Sequence, residues 1–297
     1  MRGLSALALD LDHVGVAVRD LDAGREAYRR LGFNLTPRSE HRGSRVPGGP
    51  IEPWGSANHC AMLEQGYLEV LGLTDPGKFS TAKAMIERYE GVHIVAFRPD
   101  SIDAVHSALS DAKRPVDAPR DLERMARYGP DGTESRRVAF RNMYLAKSVF
   151  TEAQFQYTEH LTRETMWQPQ LLRHPNGALG LQWVFLCSPD PEATARKLAP
   201  MLGVEPHRTP WGEHQLELSG SSIRVLAPTD WERWAPGAEL PPLPAPVGVG
   251  VRVASLAAAR GVLEGNSVPS TQSPESGLRV DRRYAGGATL FFFERPA

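Results

Sequence analysis

The chain of 297 residues has room for about two domains of ~150 residues, each large enough to bury its own core. Its 34 basic and 35 acidic residues are interspersed and leave a formal charge of -1, which argues against nucleic acid or an anionic membrane as partner and favours a small molecule. Leu4 to Leu9 is too short for a signal peptide and no apolar run approaches the ~20 residues of a membrane span, so a cytoplasmic protein is expected.

A first strand is expected over Leu11 to Val18, where Val14, Val16 and Val18 share one face and His13, Gly15 and Ala17 the other. Asp22 is the expected N-cap of a helix carrying Ala27, Tyr28 and Leu31 on one stripe, with Gly32 at its left-handed C-cap. Strands follow at about Phe33 to Thr36, His59 to Leu63 and Tyr67 to Leu73, then a helix near Ser80 to Tyr89. A second unit starts with a strand at Val92 to Phe97 and a helix at Ser101 to Ser110; residues 113 to 134 are expected as an inserted loop. Its later strands are expected at Arg137 to Asn142, Lys147 to Phe150 and Ala153 to Glu159, and 161 to 180 is the connector between domains. In a third unit, Trp183 to Cys187 precedes Asp190 as N-cap, Pro191 at the first helical position and Gly203 after the last turn. Strands at His214 to Leu218 and Ile223 to Leu226, a stiff stretch from Pro236 to Pro246, and a fourth unit from Val247 to Phe293 complete the chain.

These units repeat one phrase: an apolar strand opening on a special residue, a turn about seven residues on, then a helix. The copies are His13-Val-Gly-Val-Ala-Val-Arg-Asp20, His93-Ile-Val-Ala-Phe-Arg-Pro-Asp100, Trp183-Val-Phe-Leu-Cys-Ser-Pro-Asp190 and a weaker Gly248-Val-Gly-Val-Arg-Val-Ala-Ser255. Only the first two begin with histidine. The last strands of those two units carry Glu69 in Gly66-Tyr-Leu-Glu-Val-Leu-Gly72 and Glu159 in Phe155-Gln-Tyr-Thr-Glu-His160. A carboxylate on such a face is costly to bury unless paired or bound to a metal, and His13, Glu69, His93 and Glu159 together make a mixed N and O site for a divalent metal. In the third unit the positions of His13 and Glu69 are taken by Trp183 and Arg224, and the fourth unit offers Gly248 and a phenylalanine among Phe291 to Phe293; none of these can hold a cation.

Other residues have weaker claims. His59 is a candidate for proton transfer or for orienting a ligand, and Tyr67, Tyr157 and Trp167 for lining a substrate pocket, although aromatics in strands are more often core. His160 replaces Glu159 as the inward residue if the register slips by one place. Arg136, Arg137, Arg141 and Lys147 read as a solvated basic face. Cys60 and Cys187 form no CxxC pair and read as small buried residues. Gly43 to Gly49 lacks the ending of a phosphate loop.

With Leu11-Asp-His-Val-Gly-Val-Ala-Val-Arg-Asp-Leu21, Tyr67-Leu-Glu-Val and the His93 strand, the chain resembles the vicinal oxygen chelate superfamily and in particular its glyoxalase-like domain proteins. The resemblance covers nearly the whole chain and is sharpest over the first half. It implies an α+β fold of four βαβββ units paired into two half-open mixed β-barrels with helices outside, as domains 1–178 and 179–297, the second degenerate. It also implies His13, Glu69, His93 and Glu159 as ligands of Fe, Ni, Co, Zn or Mn, with Glu159 or Glu69 leaving the metal to act as catalytic base. The implied activity is that of a lyase or isomerase acting on a small molecule through two vicinal oxygens. Two alternatives stand beside it: an Fe(II) extradiol dioxygenase using His13, His93 and Glu159, and a binding protein of the antibiotic-resistance type that sequesters its ligand without turnover. Assembly as a homodimer is left open.

Overall fold

The computed structural model describes residues 7–43 and 49–294. Most of the glycine-rich stretch from Gly43 to Gly49 lies outside the described residues. The first unit comprises β1 (Asp10–Val18), α1 (Leu21–Arg30), β2 (Ser39–Gly43), β3 (Glu52–Met62) and β4 (Tyr67–Leu73). After the short α2 (Ala82–Arg88) come β5 (Gly91–Arg98), α3 (Ile102–Asp111), β6 (Arg120–Tyr128), β7 (Glu134–Tyr144) and β8 (Gln154–His160). The helix α4 (Arg163–Met166) leads to β9 (Ala178–Cys187), α5 (Pro191–Leu202), β10 (His207–Arg208), β11 (His214–Glu217) and β12 (Ser222–Leu226). A further short helix, α6 (Pro228–Trp234), precedes β13 (Ala245–Val253), α7 (Leu256–Gly265), β14 (Ser270–Gln272), β15 (Leu278–Val280) and β16 (Thr289–Glu294).

The four βαβββ units therefore pair into two mixed eight-stranded sheets, ordered β2-β3-β4-β1-β5-β8-β7-β6 and β10-β11-β12-β9-β13-β16-β15-β14. In each sheet the first strands of two units run antiparallel at the centre, and each also pairs in parallel with the last strand of its own unit. The valine faces do the folding. Val14, Val16 and Val18 join Tyr28 of α1 and Leu31 at its C-terminal end in one core that continues through Val184, Val249, Val251 and Phe292 of the second sheet. Both sheets thus bury their outer faces in shared apolar packing, which leaves the inner faces for other use.

Local punctuation explains most of the boundaries. Asp20, two residues earlier than expected, caps α1 by accepting from the Asp22 and Ala23 amides, and Gly32 takes the left-handed φ of +84° after its end. Asp190 accepts from Ala193 N, Pro191 opens α5, and Gly203 closes it at φ +67°. Residues 33–36 are not a strand. The expected insertion at 113 to 134 contains β6, which forms a regular hairpin with β7, and no strand covers residues 147–150. The side chains of β6 are largely exposed and highly charged, so the strand lacks the apolar alternation by which a sequence announces one.

Candidate functional site

The register defines the inner face of the first sheet. Tyr67 on β4 pairs with His13 on β1, and His13 with Ala96 on β5. Ala96 in turn pairs with Gln156 on β8, and Gln156 with Tyr144 on β7. One row further on, Glu69 pairs with Gly15, Gly15 with Ile94 and Ile94 with Gln154. Helix α2 fills one part of this face, setting Ala82 and Ile86 against Ala17, Leu71 and Ile94, while Met166 of α4 packs with Cys60, Met62, Tyr67 and Val138.

A polar cluster sits at the α4 end. Asp12 is 1% exposed, and its Oδ1 accepts from His13 Nδ1 at 2.7 Å and from His160 Nε2 at 3.2 Å. A carboxylate only accepts, so each imidazole turns an N–H toward Asp12 and keeps its lone pair on the far nitrogen, Nε2 of His13 and Nδ1 of His160. Burial pushes the Asp12 carboxyl up, but the two imidazoles more than reverse this and hold it well below the ordinary carboxylate range. Asp12 Oδ2 and His160 Nδ1 are buried and have no hydrogen-bond partner among the described residues. Tyr67 stacks on His13 with ring centroids 4.6 Å apart, and Trp167 meets His160 edge-on at 4.9 Å while donating its indole N–H to Leu63 O. The Tyr67 phenol is pushed well up by burial and by Asp12, so its hydroxyl stays protonated. Arg163 lies 3.6 Å over the Trp167 ring.

Beside the cluster runs a hydrogen-bonded polar track. Gln154 donates to Gln156, Gln156 to Thr158, and Thr158 to Asn142 Oδ1. Glu69 lies on this same face next to Cys60 and accepts from Asn58 Nδ2 at 2.5 Å.

Of the four expected ligands, His13 and Glu69 share the inner face, whereas His93 and Glu159 are not brought to it. His93 stands three residues along β5 from the Ala96 that pairs with His13, roughly 10 Å at the rise of a strand. Its ring stacks on Tyr89 at 4.0 Å and its Nε2 donates to Tyr89 O at 2.8 Å. Glu159 turns to the other side of β8, where its Oε2 accepts from Ile102 N, 3.0 Å away, at the start of α3. The second half repeats this contact, with Glu294 Oε2 accepting from Leu256 N at the start of α7. His160, on the inner face, takes the place expected of Glu159. Among the described residues no three of His, Cys, Asp and Glu are grouped to hold a metal ion.

Two expected pocket residues also face elsewhere. His59 pairs with Val70 on the outer side and its Nδ1 donates to Thr36 O at 2.8 Å. Tyr157 packs on Phe97 and its hydroxyl donates to Met201 O. Tyr67, His160 and Trp167 line the cluster. Arg137 and Arg141 pair with Glu123, Asp103 and Asp121 on the surface, as a solvated face requires.

Sequence reasoning missed Asp12 altogether. Strict alternation sends it to the valine face, but the register shifts between Leu11 and His13, and this irregularity lets Asp12 reach both imidazoles. A signal was present: a carboxylate one residue from His13 in a strand buried throughout has to find a partner.

A family model described as a glyoxalase-like domain matches residues 11–202, and the chain belongs to that family. No curated protein matches the chain. Among solved structures it is similar to a hypothetical protein from Staphylococcus aureus, with TM-score 0.65 and 13% identity over 96% of this chain and 98% of that one. It is also similar to the Mn(II)-bound glyoxalase from Novosphingobium aromaticivorans, with TM-score 0.55 and 13% identity over 98% and 83%. An extradiol ring-cleaving dioxygenase from B. fuscum gives TM-score 0.55 and 12% identity over 100% and 74%. At these identities the structural likeness establishes the fold, that of the vicinal oxygen chelate superfamily.

Proposed function

We propose that the chain is an enzyme of the lyase or isomerase class that moves a proton on a small oxygen-bearing molecule held against the inner face of the first sheet. The observation that carries this reading is the single Asp12 oxygen accepting from both His13 and His160. An ionised carboxylate behind an imidazole fixes its tautomer and stabilises the imidazolium that forms when the far nitrogen takes a proton. His13 Nε2 is then the base that removes a proton from carbon next to a carbonyl. The protonated Tyr67 hydroxyl donates to the carbonyl oxygen as negative charge grows there. Return of the proton from His13 to the former carbonyl carbon, with the adjacent hydroxyl proton passing to the first oxygen, gives isomerisation, and expulsion of a leaving group with its electron pair from the carbon on the other side of the deprotonated one gives the lyase outcome. No step is routed through a metal, because His93 and Glu159 are engaged away from His13. The two-histidine, one-carboxylate triad of a ring-cleaving dioxygenase lacks the same two members.

The test is exchange in D2O, followed by NMR with a panel of 2-oxoaldehyde hemithioacetals and α-hydroxy ketones. Wild-type protein is expected to incorporate deuterium next to the carbonyl, and His13→Asn to slow this by on the order of 100-fold, a usual contribution of general base catalysis. Exchange that is absent across the panel, or that survives His13→Asn, refutes the reading. So does exchange that appears only after loading with Mn(II) or Fe(II).

A further inference from the structure

The hairpin of β6 and β7 has no counterpart of its length in the second half. Its strands run over 9 and 11 residues, whereas β14 and β15, at the same places in the second sheet, have 3 each. The long hairpin therefore accompanies the sheet that carries the His13 cluster. Most of its arginines are matched near the surface. Arg120, Arg136, Arg137 and Arg141 form ion pairs with Asp117, Glu134, Glu123 and Asp103, and Arg127 donates to Gly132 O. Arg124 alone of the hairpin's arginines has neither an ion pair nor a hydrogen bond among the described residues.

Alternation sets the direction of Arg124. Along β6 the side chains of Arg124, Ala126 and Tyr128 are half-buried, while Glu123, Met125 and Arg127 are exposed. Ala126 packs on the cluster of Cys60, Met62, Tyr67 and Val138, and Arg124 stands directly opposite that same Val138 on β7. Residues opposite one another in an antiparallel pair share a face, so Arg124 belongs to the inner face. Its charge reaches the strands at the other edge of the sheet. Burial pushes the Cys60 thiol and the Tyr67 phenol up and the His41 imidazole down, and the guanidinium opposes the first two shifts and adds to the third. Glu69 acts on the same three groups, but no ion pair joins it to Arg124, and it accepts from Asn58 Nδ2 instead.

The hairpin is also held in place at its tip. Gly129 N donates to Gln168 Oε1 at 2.9 Å, and Gln168 Nε2 and Gln170 Nε2 donate to Arg127 O and Gly129 O, both at 3.0 Å. A half-buried guanidinium on such a strand, turned to the inner face and bound to no carboxylate, is preorganised to take one from a ligand. The balance of charge allows it: Asp12 and Glu69 stand against Arg124 and Arg163, and Asp12 is already engaged by two imidazole N–H groups. We infer that Arg124 binds a carboxylate of the substrate, so that the compound handled at His13 is an oxo acid rather than a neutral aldehyde or ketone. This rests on the proton-transfer reading for the carbonyl beside Tyr67, and adds the group that fixes which way round the substrate lies.

The test titrates the full chain with hydroxypyruvate and pyruvate by calorimetry, beside hydroxyacetone and acetone, in which a methyl group replaces the carboxylate. Each acid is expected to bind on the order of tenfold tighter than its neutral counterpart. Arg124→Gln removes this preference while the thermal midpoint stays near that of the wild type, because no pair is broken. Arg124→Lys, which keeps the charge without the planar fork, retains part of it. Arg137→Gln, on the neighbouring strand but paired with Glu123 at the surface, leaves it intact. Equal binding of acid and counterpart, no saturable binding of either acid, a preference that survives Arg124→Gln, or one that Arg137→Gln removes as fully overturns the inference. Calorimetry reads binding without turnover, so an intact preference with no deuterium exchange sinks the proton-transfer reading alone, and exchange without the preference sinks this inference alone.

Discussion

Exchanging His93 for glutamine separates a structural histidine from a metal ligand. Burial and the neighbouring Arg88 charge bring the His93 pKa down, opposed by its bond to the Tyr89 carbonyl, to about 4 from 6.5. The folded state therefore binds fewer protons than the unfolded state between these values, and stability is complete above pH 6.5 and falls as the pH drops toward 4. At 1.36 kcal/mol per pH unit the full loss is about 3.4 kcal/mol, of which ~2.5 kcal/mol has been lost by pH 4.5. Glutamine can still donate to Tyr89 O, but it does not titrate. Urea unfolding of wild type and His93→Gln at pH 7.5, 6.5, 5.5 and 4.5 isolates the term, because the other titrating groups, including Asp12, are common to both chains. The expected outcome is a wild-type stability that declines relative to the variant by ~2.5 kcal/mol over this range. Parallel curves would refute the argument, and so would a variant that loses bound metal in proportion to the substitution.

Three further outcomes are expected. Glu159→Ala removes a carboxylate that accepts from Ile102 N at the positive end of α3, and should cost about 1 kcal/mol in urea unfolding, and Glu294→Ala a similar amount, with proton exchange on the substrate panel unchanged in both. Asp12→Asn can still offer one oxygen to both imidazoles but removes the negative charge that stabilises an imidazolium, so turnover should fall by on the order of 100-fold while circular dichroism is preserved. Gly250→Ala drives a methyl group into the Trp183 ring, which is also packed against Arg224 and Phe293, and should destabilise by about 1–3 kcal/mol in thermal unfolding.

What the sequence could and could not convey follows from how each feature is encoded. The four units were legible because alternation of valines and the punctuation of Asp190, Pro191 and Gly203 are local properties that survive in any context. Strand β6 was not, because its charged side chains are exposed and no packing constraint writes a pattern into them. The equivalence of His13 with Trp183 and of Glu69 with Arg224 was readable by counting along matched strands, and the parallel registers reproduce it. The equivalence of His93 with Gly248 was not, since Gly248 pairs with Phe185 as Ile94 pairs with Gly15, which puts His93 level with Val247. The place lost lies at the register irregularity of β5, where His93 has no partner on β1.

The internal repeat bears on Glu159 as well, in the opposite direction from its use as evidence for a metal. Read from the first half alone, a carboxylate near the end of β8 and a histidine early in β5 look like chemistry added to a scaffold. The second half carries Glu294 at the same place, accepting from the same position of the next helix, in a sheet that has Trp183 instead of His13. A feature that persists where the chemistry has gone belongs to the fold. Positions where the halves differ include Asp12 against Gln182, His13 against Trp183, Glu69 against Arg224 and, in the sequence, His160 against Arg295. Asp12, His13 and His160 are the groups that the structure joins through one carboxylate oxygen. The contrast between halves and the hydrogen-bond geometry are independent observations, and both lead away from His93 and toward an acid adjacent to His13 that alternation had hidden.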